Sequence, residues 1–78
     1  MMLEIIMNMP VRASNAPVHR IVARHPKKTL QEFIDLLHMV DFVIVEEFYP
    51  PAGGGDYVNH GPIAINHRYI GKVKEWTR

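Results

Sequence analysis

Between Thr29 and Tyr49 the hydrophobic pattern changes period once. Leu30, Phe33, Ile34, Leu37 and Val40 recur at helical spacing, with Leu36 widening the stripe. From Asp41 onward the composition turns to Phe42, Val43, Ile44 and Val45, β-branched and aromatic residues suited to a pleated surface. Thr29 followed by Glu32 reads as a capping box, in which the threonine hydroxyl accepts from an otherwise unpaired backbone N–H. The spacing therefore predicts a helix over 30–39 that feeds directly into a strand over 41–49.

Period-two alternation marks the flanking elements. Leu3, Ile5, Met7 and Met9 fall on one side of a strand over 3–9, which Pro10 ends. A Pro/Ser/Asn turn over 10–17 leads into a second strand, Val18 to Arg24, hairpinned to the first. His25-Pro26 stops that strand, because proline offers no ladder donor and keeps its predecessor out of helical angles. After Tyr49 comes an irregular Pro/Gly stretch over 50–62. Two short strands follow, Ile63 to Asn66 and Ile70 to Trp76, joined tightly at His67-Arg68-Tyr69. The expected architecture is one α+β domain, β-β-α-β-β-β, with a mostly antiparallel sheet of four or five strands and one helix on a face.

Geometry gives this arrangement a functional consequence. A helix about 10 Å across covers two or three strands spaced about 4.8 Å apart, so part of the sheet is left open. The outward positions inferred for the second and fifth strands are Val18, Arg20, Val22, Arg24, Ile70, Lys72, Lys74 and Trp76. An apolar and basic face of that kind suits a contact surface. A curled sheet or a homodimer would instead hide it.

Composition narrows the chemistry. The 78 residues carry a net charge of +1 and no cysteine, which removes disulfides and thiolate metal sites together. No apolar run approaches the ~18–20 residues that cross a bilayer, and the N-terminus lacks a basic leader region, so a cytoplasmic protein without a membrane partner is expected. Charge is segregated: the helix and central strand are acidic, while the segments before and after them are basic. That pattern fits either internal pairing between neighbouring elements or two faces of opposite sign.

The motifs argue against catalysis and against cofactors. The 5 histidines fall at no recognised ligand spacing, so no metal is expected. Glu46 and Glu47 are adjacent on a strand and point to opposite faces, so they cannot act as a carboxylate dyad, and one is expected to pair with a cation on a neighbouring strand. Ser14 lies in a turn with no nucleophile-elbow context, and Gly53-Gly54-Gly55 lacks the Lys-Ser/Thr of a phosphate loop. The long loop is the better candidate for function. Tyr57, Asn59 and His60 supply an aromatic, an amide and an imidazole on it. On that reading Tyr57→Ala weakens partner binding and leaves the melting temperature nearly unchanged.

The tract GPIAINHRYIGKVK, behind an acidic strand and a glycine loop, resembles the tail of many short phage-type proteins. The likeness is one of size and build, and anti-CRISPR proteins are among the group. It implies a non-enzymatic inhibitor that binds a protein or nucleoprotein partner, and it carries over no functional residue. The alternative is a nucleic-acid-binding regulator in which Arg20, Arg24, Lys72 and Lys74 meet phosphates and Tyr57 and Trp76 stack bases. The sequence pI of about 8.2 lies below that of dedicated binders, so nucleic acid alone is expected to bind weakly. The expected partner-binding residues are Arg20, Arg24, Tyr57, Asn59, His60, Lys72, Lys74 and Trp76.

Overall fold

The computed structural model describes residues 1–8 and 18–77, without the side chains of Val18 and His19. The turn read over 10–17 with its Ser14, the strand's extension to Met9, and Arg78 lie outside the described residues. The elements are β1 (Met2–Asn8), β2 (Val18–Arg24), α1 (Leu30–Leu37), β3 (Phe42–Tyr49), β4 (Val58–Asn66), a 3-10 turn (His67–Tyr69) and β5 (Ile70–Glu75). The strands form one sheet in the order β4-β3-β2-β1-β5, with every neighbouring pair antiparallel. This is the α+β architecture that the sequence pattern predicts.

The helix begins where its cap requires. Thr29 is extended and its Oγ accepts from the Glu32 N–H at 3.2 Å. The helix ends at Leu37, earlier than its apolar stripe. The Met39 N–H bonds the Leu36 carbonyl at 2.9 Å, a tighter closing turn that releases the chain toward β3. Phe33 and Leu37 are buried against the inner sheet face, which supplies Leu3, Ile5, Met7, Ile21, Ala23, Val43, Val45 and Ile65.

His25 holds the joint between β2 and the helix. Its ring is buried, meets Phe33 edge-on at 4.9 Å, and accepts from the Lys27 N–H through Nδ1 at 3.1 Å. Burial lowers its pKa from the ordinary histidine value, and the Lys27 and N-terminal charges act in the same direction.

The sheet is strongly curled, and the reason is the short link between β4 and β5. These strands lie at opposite ends of the sheet order, yet a 3-10 turn of 3 residues joins them. In a flat sheet they would be about 19 Å apart across the strands. The registers would add roughly 30 Å along the strand direction between Asn66 and Ile70. A chain segment this short reaches at most about 14 Å. The sheet must therefore coil until its two ends approach, giving a half-closed barrel with the helix on its concave side.

Three local readings are corrected by this geometry. β4 begins at Val58 rather than Ile63: Gly61 adopts φ 97°, and the register shifts between Glu46 and Phe48 to absorb an extra residue instead of ending the strand. The loop is thus 50–57. Ile70 packs against the core rather than facing outward, because a register irregularity between Ile6 and Met7 turns the start of β5 over. Val22 does lie on the outer face with Arg20 and Arg24, but it is 4% exposed and contributes no contact surface.

Candidate functional site: the outer sheet face

Strand alternation places Glu4, Ile6, Arg20, Val22, Arg24, Ile44, Glu46, Phe48, Lys72 and Lys74 on the face away from the helix. Glu4 sits near the middle of this face, in register with Val22 on one side and Lys74 on the other. Its carboxylate takes Arg20 Nε at 2.5 Å and Lys74 Nζ at 3.4 Å. The Arg20 hydrogen bond holds the Glu4 carboxyl below the usual carboxylate range, with the Arg20 and Lys74 charges adding to it.

The long loop folds back onto this face. Tyr57 is half-buried, with its ring 4.8 Å from that of Trp76, and its phenol lies beside Arg20, where it raises the guanidinium's pKa. Trp76 follows β5, its N–H bonded to the Met2 carbonyl at 3.0 Å, whereas Arg20 lies farther up β2. Tyr57 therefore reaches from the Arg20 end of the face toward Trp76, across the region around Glu4 and Val22.

A second cluster lies next to the first. Glu46 Oε2 accepts from Arg24 Nη2 at 2.8 Å and from Asn59 Nδ2 at 2.5 Å, while the Arg24 guanidinium lies 5.3 Å from the centre of the Phe48 ring. The Arg24 bond lowers the Glu46 pKa first, followed by that of Asn59. Asn59 also receives the Gly61 N–H through Oδ1 at 2.7 Å, which fixes the bulge. Glu47 turns to the other face and accepts from the Tyr49 hydroxyl at 2.8 Å. Its neighbour Glu46 bonds a cation on the adjacent strand, so the two carboxylates divide between the faces.

Of the eight sequence-predicted residues, Arg20, Arg24, Tyr57, Asn59, Lys72, Lys74 and Trp76 share the outer face. His60 does not: it packs edge-on against Tyr49 at 5.0 Å, on the side of Glu47. The sequence reading passed over Glu4, the carboxylate that gathers Arg20 and Lys74. It also passed over Phe42 and Ile44, which are 58% and 65% exposed. Alternation with the buried Val43 and Val45 was the available signal for that pair.

Among the described residues, no group of three or more His, Asp or Glu side chains converges to hold a metal ion. The His67 ring instead donates through Nδ1 to the Val40 carbonyl at 2.5 Å. No helix of the described residues is long and apolar enough to cross a membrane. The chain matches no family model, no curated protein and no solved structure.

Proposed function

We propose that the protein is a non-enzymatic binding module that docks on a protein or nucleoprotein partner through its outer sheet face, in the manner of a small cytoplasmic phage-type inhibitor. One observation carries this reading. The face presents large apolar side chains, Phe42 and Ile44, to solvent, while three of its four strand cations are already engaged by carboxylates of the same face. An apolar patch beside compensated charge favours a protein surface over a phosphate backbone.

The alternative, a nucleic-acid-binding regulator, rests on Lys72, which makes no ion pair among the described residues, and on the nearby Tyr57–Trp76 pair as a stacking platform. Capture from a nuclease-treated host lysate separates the two readings. The intact protein is expected to retain a protein partner after nuclease. Phe42→Ser and Ile44→Thr are expected to lose that partner without a change in melting temperature. Loss of all captured material on nuclease treatment would favour the regulator.

A further inference from the structure

The curl of the sheet leaves a seam, and the seam has its own chemistry. An open depression of about 470 Å³ is lined by Met7, Ile21, Glu47, Ile63, Ile65 and Tyr69. Phe42, Ala64 and Asn66 line it too. Alternate side chains of a strand point to opposite faces, so consecutive residues of β4 can border one depression only where the strand presents its edge. β4 pairs with β3 on one side and, among the described residues, with no strand on the other. Its outward backbone groups along 63–66 therefore face this depression.

The two edges of the sheet are not equally guarded. β5 carries Lys72 and Lys74, and the upper part of β4 carries the bulge and Pro62, all devices that discourage strand addition. The Ile63-Ala64-Ile65-Asn66 stretch has no charge and no proline. Glu47, at the wall of the same depression, has the Tyr49 hydroxyl as a partner and makes no ion pair among the described residues.

We infer that the β4 edge at 63–66 is a strand-addition site for an extended segment of a partner protein, with an aliphatic side chain entering the depression between Met7 and Ile65 and a Lys or Arg meeting Glu47. The unpaired backbone supplies main-chain hydrogen bonds, the apolar wall selects an aliphatic residue, and the carboxylate selects a cation. A second copy of this chain fits less well: its β4 carries no Lys or Arg to offer Glu47, and the aliphatic Ile70 and Val73 of its other edge, β5, are packed against its own core. The site meets the outer face at Phe42, but its backbone edge and Glu47 lie off that face, so strand addition there stands whether or not that face binds a partner.

The test uses the intact, isotopically labelled protein and a short capped peptide of alternating valine and threonine with one lysine near its end. Amide shifts are expected at Ile63 to Asn66, Glu47 and Tyr69. N-methylation of the peptide at alternate residues is expected to weaken binding about tenfold or more, the scale of one to two lost hydrogen bonds. Glu47→Gln should weaken the lysine peptide but not a version with leucine in place of lysine. Any of three results would overturn the inference. These are no shifts at millimolar peptide, affinity indifferent to N-methylation, or shifts centred on Ile44 and Lys72. Concentration-dependent shifts of the same β4 amides without peptide would make a second copy the occupant and overturn it as well.

Discussion

Tyr57, in the long loop, packs its ring 4.8 Å from that of Trp76 beyond the end of β5, and the contact ties the loop down across the outer sheet face. The sequence alone suggested a recognition loop in which Tyr57 could be removed at no structural cost. Its contacts with Trp76 and Arg20 reverse that expectation. Tyr57→Ala should lower stability by about 1–2 kcal/mol, part of it ring–ring contact. A double-mutant cycle with Trp76→Ala should return a coupling of about 0.5–1.5 kcal/mol. Additive effects of the two changes would mean the rings do not support each other in solution.

Thr29→Ala removes the oxygen that accepts from the Glu32 N–H and should cost about 1 kcal/mol in chemical denaturation. An unchanged midpoint would mean that this bond contributes nothing to stability.

Much of this fold was legible in the sequence, and the exceptions have physical causes. Helix entry at Thr29 and the strand runs around Ile5, Ile21 and Val45 follow from local chemistry and period, so they could be read directly. Curling stood only as one alternative, because it depends on the distance that His67 to Tyr69 must span once long-range pairing is set. Gly61 and Pro62 were read as the end of the irregular stretch over 50–62 and instead lie in β4 at a bulge, since Asn59 satisfies the Gly61 N–H locally. The cations of the candidate site were visible as a basic set. That one of Glu46 and Glu47 pairs with a neighbouring strand's cation was also legible, but Glu4's pairing with Arg20 and Lys74, and the choice of Arg24 for Glu46, were not, because they come from registers between strands distant in sequence.

Acid should weaken the protein through Glu4. Its folded pKa is depressed by Arg20, so its contribution is fully present above the unfolded carboxylate value of 4.5 and is lost as pH falls through the folded value. Glu4→Gln should be less stable than wild type at neutral pH, with the gap closing as pH falls through that range. A gap that persists undiminished in acid would mean the loss is one of shape rather than charge.

His25 should act at milder pH and with the same sign. Its folded pKa lies below the ordinary 6.5, so the unfolded chain binds the proton first and stability falls as pH drops below 6.5 toward the folded value. Protonation also removes the Nδ1 acceptor used by the Lys27 N–H. His25→Gln should flatten the fall in stability as pH drops below 6.5. Equal slopes in both proteins would show that His25 is not the titrating group.

The central claim is that the outer face is built for a protein, its cations being largely spent on its own carboxylates. Anisotropy of a labelled single-stranded oligonucleotide, titrated across salt concentrations, tests it most directly. If Lys72 is the main cation available to phosphate, the log–log slope should be about −0.7, and binding should be weak at low salt and absent near physiological ionic strength. If Arg20, Arg24, Lys72 and Lys74 all meet phosphates, the slope should steepen to about −3. A slope near the steeper value, with tight binding retained at physiological salt, would contradict the claim.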